Sequence, residues 1–530
     1  MQNDHRPRPS QLHSPLLLAL AALAAPGLAQ TPQVTWQVSS AEAHHIEVSA
    51  DGTKVVYEHS YTEFGGWITS IYLHDRLGGS TVEVAKSPVP PKDHESILGH
   101  GGLSADGRYV AYSGGLGYTG GGMGGPVYIH QVMLIDTTTG QVETISVTPT
   151  GAGCNRSAYP VDVSADGRFV LFTSFASDLV AGDALLTLDL FLRDRSLGTT
   201  VRVSETVDGA SISSNDIHSA SISDDGSLVA FSSDAYNLAW PYPSKRQVFV
   251  RHMGLGVTVV ASETGAGVDA NGHCSQERLS PDGRYLVFRS SAANLVQGDT
   301  NLASDIFCKD LLTGALERVS VDSFGAEGDD SSGRPDVSGD GRYVVFESYA
   351  TNLAPYDTNG NADVFQHDRW AGVTRRVSVD DAGDGTYPAI APSLSADGRF
   401  VAFQKATPPD FPGFPCCSPA FLHDARTGGP FLALSNVIAG ASLGLDVLGA
   451  TPGGGLLLGW SVAGQGVLPS AFGLTDLAPP FFLLPVVADG AGLVHLDVGL
   501  PPAALGLELW VQGADPTTGL LTNARGAQVQ

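Results

Sequence analysis

Oxygen-bearing side chains alternate in one short segment of the chain, in a pattern that suits a hard cation. Asp357, Asn359, Asn361 and Asp363 stand at every second position, and Gly360 lies at the bend. Calcium is usually chelated by a single loop of this kind. A full EF-hand loop would also need a Glu further along the chain, and none stands at that spacing. The segment predicts a calcium site, with Asx-turns at the start of a strand as the alternative.

Two other segments have the same pattern with fewer potential ligands. One contains Asp299, Asn301 and Asp305, and the other keeps only Asp183 and Asp189. We expect weaker calcium binding at the first of these and still weaker binding at the second. Calcium is the only cofactor that the sequence suggests, because no phosphate-binding loop or dinucleotide fingerprint occurs.

Histidine–aspartate pairs could suggest acid–base chemistry. They occur at His74-Asp75, His367-Asp368 and His423-Asp424. A catalytic pair is seldom needed several times in one chain, so we interpret each Asp as a structural partner of the turn that follows it.

One histidine-containing segment is not repeated. His94, Glu95 and His100 are spaced H-E-x4-H, whereas two ligands on one helical face need H-E-x-x-H. A metal or catalytic role is therefore a secondary hypothesis here. No nucleophile elbow is found, and no catalytic residue is assigned.

These residues belong to a repeat that is built around an Asp-Gly pair. The pair lies between strand-forming runs, as in Ser338-Gly339-Asp340-Gly341 before Arg342 to Phe346, and it is a strong hairpin signal. Successive pairs are 55, 60, 59, 57, 58 and 57 residues apart. The hairpins occur at Asp51, Asp106, Asp166, Asp225, Asp282, Asp340 and Asp397.

Each repeat contains four short β-type runs and no helical stretch. The second run is almost continuously apolar and ends in an aromatic residue, as in YVVF at 343–346, which predicts a strand buried on both faces. The third run ends in a signature such as VFQHDR at 364–369. Four strands at a near-constant period predict a seven-bladed β-propeller with one blade per repeat.

The hairpin motif also resembles a known family. Ser280-Pro281-Asp282-Gly283-Arg284-Tyr285 is similar to the WD40-like (PD40) repeat of TolB-type propellers, and the resemblance covers Thr31 to Gly429. TolB proteins place an α/β domain before six blades, whereas here seven repeats directly follow the first 30 residues. The resemblance implies the propeller fold, without the N-terminal domain of TolB.

The first 29 residues have the pattern of a secretory leader. A basic segment with Arg6 and Arg8 precedes an apolar run from Leu16 to Ala25 and a cleavage site that ends at Ala29. We expect a secreted or periplasmic protein without a membrane span.

The mature chain is strongly acidic, because removing Arg6, Arg8 and Asp4 with the leader changes the formal charge from −26 to −27. This acidity argues against nucleic acids and anionic membranes as partners.

The repeats also predict how the ring closes and where the loops lie. The run Val34 to Ser39 resembles the fourth run of a repeat, so we expect it to supply the outer strand of blade seven. Phe431 to Ser435 competes for the same place.

The turns after the first and third strands of each repeat are short, and the other connections are long. In a propeller these two sets lie on opposite faces, and binding usually resides on the loop-bearing face.

The composition changes near residue 430, which divides the mature chain into a propeller, residues 30–430, and a C-terminal part, residues 431–530. The C-terminal part has no Lys, one Arg and many Leu and Gly residues. Its apolar runs predict a small β-sandwich. They lie at Leu443 to Leu448, Leu456 to Val462, Phe481 to Val487 and Leu505 to Val511.

Five cysteines in an exported protein leave at least one without an intramolecular disulfide partner. Cys274 and Cys308 lie in one repeat and could pair, Cys416 and Cys417 are adjacent, and Cys154 could be the unpaired one. The pattern leaves these pairings open.

Three functions fit this organisation, and their order follows from the motifs. The first is a non-enzymatic binding or scaffold protein that presents the loop face to a protein or a glycan. The second is a metal-assisted hydrolase or polysaccharide-active enzyme that uses the same face. The third is a self-assembling surface-layer component, which would rest on the apolar C-terminal part.

Overall fold

A computed structural model describes most of the repeat region and the strands of the C-terminal part. The described residues of the repeat region are 35–39, 43–63, 66–86, 100–119, 127–183, 187–206, 209–210, 212, 217–235, 237–239, 245–354, 357, 359–378, 387–406 and 419–425. All regular structure among the described residues is β, and none of them forms a helix able to cross a membrane. The predicted leader, residues 1–29, lies outside the described residues.

The repeats form seven antiparallel four-stranded sheets, which are the blades of the predicted propeller. We name the strands of each blade A to D, from the axis outwards. The A strands are His44–Val48, His100–Leu103, Ala158–Val163, Ile217–Ile222, Cys274–Leu279, Ser332–Val337 and Ala389–Leu394. The B strands are Lys54–Glu63, Tyr109–Thr119, Phe169–Ser174, Leu228–Ser233, Tyr285–Ser290, Tyr343–Ser348 and Phe400–Lys405.

The outer strands follow the same order. The C strands are Gly66–Asp75, Val127–Asp136, Asp189–Asp194, Gln247–His252, Asp305–Asp310, Asp363–Asp368 and Ala420–Asp424. The D strands of blades one to six are Ser80–Lys86, Gln141–Thr144, Thr199–Arg202, Val257–Val260, Leu316–Arg318 and Val373–Arg376.

The N-terminal strand completes the ring. Thr35–Gln37 pairs antiparallel with the C strand of blade seven, where Trp36 lies opposite Leu422. The prediction that this segment closes the propeller is therefore confirmed. The competing strand, Phe431–Ser435, instead pairs with Ser442–Leu448.

The A–B hairpin has the same hydrogen bonds in every blade. In blade six, Ser338 Oγ donates to Asp340 Oδ1 (2.7 Å), and it accepts from the backbone N–H of Tyr343 (2.9 Å). Asp340 Oδ1 also accepts from the N–H of Arg342 (3.0 Å), and Gly341 takes the left-handed conformation (φ 70°). Because all these groups lie within six residues, the hairpin is specified locally.

The hairpin glycine also allows neighbouring blades to approach each other. A Cβ atom on Gly341 would overlap the ring of Tyr285, the first residue of strand B in blade five. That ring also lies below the guanidinium groups of Arg284 and Arg369, at 4.9 and 4.8 Å from the ring centroid. The glycine therefore serves both the turn and the contact between blades.

The core lies between neighbouring blades, and the side chains of strands B and C supply most of it. Phe346 and Phe365 are fully buried in blade six, and their rings stack with centroids 6.0 Å apart. Equivalent pairs occur at Phe172–Phe191, Phe231–Phe249, Phe288–Phe307 and Phe403–Phe421. The aromatic residues that end strand B are thus core residues, as predicted.

The C-terminal part contains a strand that overlaps each of the four predicted apolar runs, and it contains further strands as well. Phe431–Ser435, Ser442–Leu448 and Val494–Gly499 form one sheet. A second sheet contains Phe481–Val487, Gly455–Ser461, Glu508–Asp515, Leu520–Leu521 and Arg525–Gln528, and Gln465–Ser470 pairs with Gly473–Leu477. The packing of these sheets as a sandwich stays a prediction.

Three buried cysteines carry free thiols. Cys274 and Cys308, which the sequence left as a possible pair, are both unbonded, and so is Cys154. Burial raises the pKa of Cys308 to about 12, so this thiol stays protonated at neutral pH. Cys416 and Cys417 lie outside the described residues.

Candidate functional site: the axial channel and the long-loop face

The predicted calcium ligands of blade six converge, and an arginine lies among them. Arg376 Nη1 lies 3.2 Å from Asp357 Oδ1 and 3.4 Å from Asp363 Oδ2. Asn359 Nδ2 donates to Asp363 Oδ2 (2.6 Å), and the backbone N–H of Asn361 donates to Asn359 Oδ1. Calcium would have to displace this guanidinium, and the metal assignment stays a prediction.

Blade five repeats this arrangement with a third acid. Arg318 Nη1 lies 3.8 Å from Asp299, 3.3 Å from Asp305 and 2.7 Å from Glu327. Asn301 Nδ2 donates to Asp305 Oδ2 (3.3 Å). Glu327 belongs to the loop before blade six, and the sequence pattern did not identify it. The three acids are close enough to hold a cation, and the arginine already provides one.

The charged groups in this place differ between blades: blades three, five and six combine aspartates with an arginine, whereas in blade one Ser70 donates to Glu83, which stands at the position of the arginine (2.7 Å). In blade three, Arg202 lies 3.6 Å from Asp183, while Asp189 accepts from Ser204, two residues after strand D (2.6 Å). In blade two, Gln131 replaces the strand aspartate and accepts from Ser146 (2.8 Å). An amide therefore fulfils the same bonding role without an arginine, which favours a structural function for this position.

Two of the three histidine–aspartate pairs, those with Asp75 and Asp368, have the predicted partner in the following turn, whereas the corresponding turn residues after Asp424 lie outside the described residues. Asp368 Oδ1 accepts from the backbone N–H groups of Trp370 (3.1 Å) and Ala371 (3.2 Å) in the following turn. His367 is buried beside Thr374, and burial lowers its pKa to about 4. The imidazole is therefore neutral at neutral pH and holds its place by packing. Of the unrepeated segment, His94 and Glu95 lie outside the described residues, and His100 begins strand A of blade two.

A bulge in each A strand turns one side chain toward the axis. In blade five the register shifts between Ser275 and Arg278, and Gln276 adopts a left-handed conformation (φ 58°). A bulge re-aims the side chains that follow it. In five blades the residue after the bulge, and in blades two and four the residue at the same position of the repeat, form a set that we call the axial ring: Glu47, Gly102, Asp162, Ser221, Arg278, Asp336 and Ser393.

Five side chains of the axial ring accept a hydrogen bond from the backbone of the next blade. The bonds join Glu47 to the N–H of Leu103, Asp162 to that of Ile222 (3.0 Å), Ser221 to that of Leu279 (3.2 Å), Asp336 to that of Leu394 (2.8 Å) and Ser393 to that of Val48 (3.1 Å). The ring is thus a set of bonds that ties the blades together.

Gly102 and Arg278 are the two members that cannot accept such a bond. The blade that follows Gly102 has Asp162 in the axial ring, and the blade that follows Arg278 has Asp336. Each aspartate accepts a hydrogen bond from the backbone N–H of the residue after it in the chain. These bonds are 2.8 Å long at Asp162 and 2.9 Å long at Asp336. The two aspartates therefore compensate for the missing acceptors, which explains why acids occur in blades three and six.

The acids of the axial ring influence one another. Burial and the charges of Asp162 and Asp336 raise the pKa of Glu47 to about 8, although Arg278 opposes the shift. Burial also raises the pKa of Asp162 and of Asp336. Glu47 is therefore largely protonated at neutral pH, and the channel is less negative than its formal charge suggests.

The start of each A strand lies at the mouth of the channel on the face that carries the B–C and D–A connections. We call this the long-loop face, and the end with the A–B and C–D turns the short-turn face. On the long-loop face, three basic side chains lie within 4.0 Å of the carboxylate of Asp234. His218 Nε2 lies 2.7 Å and Arg246 Nη2 2.8 Å from Asp234 Oδ2, and His273 Nδ1 lies 4.0 Å from Oδ1. Among the described residues, no other blade has an equivalent cluster.

Loops of the long-loop face are tied to each other by reciprocal bonds. Between blades five and six, the N–H of Asp329 donates to Asn352 Oδ1 (3.0 Å), and the N–H of Thr351 donates to Asp329 Oδ1 (2.7 Å). The same exchange joins Asn271 to Asn294 and Ala293. The described loops are therefore held in defined positions before any partner arrives.

The axial ring was not predicted from the sequence, although the repeats carry a signal for it. Aligning the seven repeats two positions before the hairpin serine shows Glu, Gly, Asp, Ser, Arg, Asp and Ser in place of apolar residues. The bulge that directs these side chains inwards has no comparable sequence signal.

No protein-family model matches the chain, and no curated protein matches it. Solved structures with a similar course include the β-propeller domain of the Trilobed protease from Pyrococcus furiosus (11% identity, 73% of this chain and 93% of that chain, TM-score 0.46). TolB from Acinetobacter baumannii is also similar (14%, 71% and 81%, TM-score 0.33), as is the acylaminoacyl peptidase of Pyrococcus horikoshii (11%, 78% and 59%, TM-score 0.43). At these identities and TM-scores the similarities carry no information about activity or ligand.

Proposed function

We propose that this chain is an exported, non-enzymatic binding or scaffold protein whose long-loop face contacts a protein or glycan partner. Export rests on the leader-like sequence of residues 1–29. The partner-binding role rests on the loops of blades three to six and on one side chain in particular.

The observation that carries the proposal is the conformation of Leu302. This leucine lies in the B–C loop of blade five, is 93% exposed and has a φ of 57°. The equivalent residue in blade six is Gly360, with a φ of 64°. A left-handed conformation costs a non-glycine residue about 1–2 kcal/mol. No burial of Leu302 offsets this cost, so we infer that its side chain contacts something outside the chain.

The polar groups of the propeller support binding rather than catalysis. The carboxylates of Asp162 and Asp336 each accept two backbone hydrogen bonds, and the acids of blades five and six surround arginines. Groups that are engaged in this way are poorly placed to transfer protons. The preorganised loops also reduce the entropy cost of association.

A site-specific photo-crosslinker tests the proposal. We would place it at Leu302 and, as a control, at Leu197, which is 70% exposed on the short-turn face. Exposure of the mature protein to envelope extracts and to a glycan array should give crosslinks or glycan capture that depend on position 302. Equal labelling from both positions, or none from 302, would refute the proposal.

A metal-assisted enzyme remains the second candidate, because several A strands begin at or next to a histidine. His45, His100 and His218 lie at the beginning of three A strands, and His273 directly precedes a fourth. Zinc and manganese should then raise the melting temperature of the wild type but not that of a H218A/H273A variant. Equal melting temperatures with and without the metals would eliminate this candidate.

A further inference from the structure

The axial ring contains one residue that the fold does not require. Five members accept a hydrogen bond from the next blade, and Gly102 shows that a blade contact forms without a side-chain acceptor when an aspartate follows. Arg278 holds the same position in blade five, and Asp336 of the next blade fulfils the same compensating role. The contact between blades five and six is therefore complete without the guanidinium.

The charges of Asp162, Asp336, Glu47 and Glu277 act on Arg278 at longer range, but the guanidinium has a single hydrogen bond among the described residues. Its Nη1 donates to the carbonyl oxygen of Ala220 (3.3 Å), and no carboxylate of a described residue lies within 4.0 Å. Arg278 is enclosed by the surrounding blades, yet its surface is exposed to solvent. A long side chain that is surrounded by other residues and is still exposed to solvent indicates a water-accessible channel along the axis.

We infer that Arg278 is an anchoring residue for a carboxylate group of a ligand that enters the axial channel. The planar guanidinium offers parallel N–H donors that match the two oxygens of a carboxylate. The inference deepens the proposed binding function by naming the chemical group that the channel recognises, and it rests on that function.

The neighbouring acids are compatible with such a ligand. Both oxygens of Asp162 and of Asp336 already accept backbone N–H groups. Glu47 is largely protonated at neutral pH, so it adds little repulsion and can donate a hydrogen bond. A ligand that has a carboxylate and also hydroxyl or amide donors could pair its carboxylate with Arg278 and donate hydrogen bonds to the acids of the channel. Sugar acids and peptide C-termini share this chemistry.

The test uses the full-length mature protein and two pairs of probes. D-glucuronate is compared with D-glucose, and trialanine with a free carboxylate is compared with trialanine amide, each by isothermal titration calorimetry. Because hydrogen bonds to charged groups are among the strong ones, we expect the preferred carboxylate probe to bind about 10- to 100-fold more tightly than its neutral counterpart. The better of the two carboxylate probes identifies the source of the carboxylate.

Two variants and a control connect this preference to Arg278. R278S should lose the preference, and R278K, which keeps the charge without the planar fork, should retain only part of it. R193S removes an arginine from the C strand of blade three and should bind as the wild type does. Thermal unfolding verifies that the variants fold, and R278K remains informative if R278S does not.

Three results would overturn the inference: no carboxylate preference in the wild type, the same preference in R278S, or no binding of any carboxylate probe. If crosslinking at Leu302 succeeds while R278S keeps the carboxylate preference of the wild type, the anchoring role fails and the binding function stands. If crosslinking fails as well, the proposed function fails independently of Arg278.

Discussion

The two faces of the propeller are built with different degrees of uniformity. On the short-turn face, six blades carry an ion pair between the basic residue of the hairpin and the aspartate that ends strand C. These pairs are Lys54–Asp75, Arg108–Asp136, Arg168–Asp194, Arg284–Asp310, Arg342–Asp368 and Arg399–Asp424. On the long-loop face the charged clusters differ from blade to blade. Groups that recur in nearly every blade serve the ring, and groups that occur once are candidates for binding.

The largest expected change in stability comes from replacing a left-handed glycine on the short-turn face, in comparison with one on the long-loop face. Gly341 is left-handed and its Cβ would overlap Tyr285, whereas Gly360 is left-handed in open space. Gly341→Ala should lower the free energy of unfolding by about 2–5 kcal/mol, from backbone strain and overpacking together. Gly360→Ala should lower it by about 1–2 kcal/mol, from strain alone. Urea denaturation of both variants measures the difference, and equal losses would contradict the assigned role of the short-turn glycine.

The second largest change in stability is expected in the charged cluster of blade six, where Asp357 and Asp363 surround Arg376. Asp363→Ala removes the partner of Ser378 and Arg376, and it leaves a buried cationic group less well paired. We expect a loss of about 3 kcal/mol in stability. Because Arg376 already neutralises the site, the wild type should melt at the same temperature with calcium and with chelator. A calcium-dependent rise in the wild type that Asp363→Ala abolishes would instead establish the predicted metal site.

A buried histidine near the short-turn face should make stability depend on pH. The pKa of His367 is lowered from 6.5 to about 4 in the folded state, so the unfolded chain binds this proton more readily. The stabilisation is present above pH 6.5 and is lost as the pH falls from 6.5 to 4, by about 3 kcal/mol in total. His367→Ile, which copies Ile135 of blade two, should flatten the stability profile in this range. An unchanged acid-side slope in chemical denaturation would refute the prediction.

The smallest effect on stability is expected on the long-loop face. Leu302→Gly relieves the left-handed strain but increases the freedom of the unfolded chain, so stability should stay within about 1 kcal/mol of the wild type. Binding of the partner should nevertheless weaken, since the exposed side chain is lost. Thermal unfolding and a partner-binding assay are measured on the same samples. A large loss of stability without loss of binding would assign Leu302 to the fold instead.

The prediction of the fold succeeded where the information is local. Ser338, Asp340 and Gly341 lie within four residues and specify a hairpin whose hydrogen bonds need no distant partner. The prediction of the site was less complete, because its partners are distant in sequence. The loop acids around Asp363 were recognised, but Arg376, which fills their centre, lies on the next strand.

The amino-acid sequence by itself determined the number of blades, the strands and the short turns, since each follows from contacts between residues close in the chain. Only the tertiary structure decided that Glu47, Asp162, Arg278 and Asp336, from four blades, influence one another along a single axis. Their position depends on a bulge in each A strand and on the closure of the ring by Thr35–Gln37. Both are properties of the assembled blades, because a single repeat cannot bury its own faces.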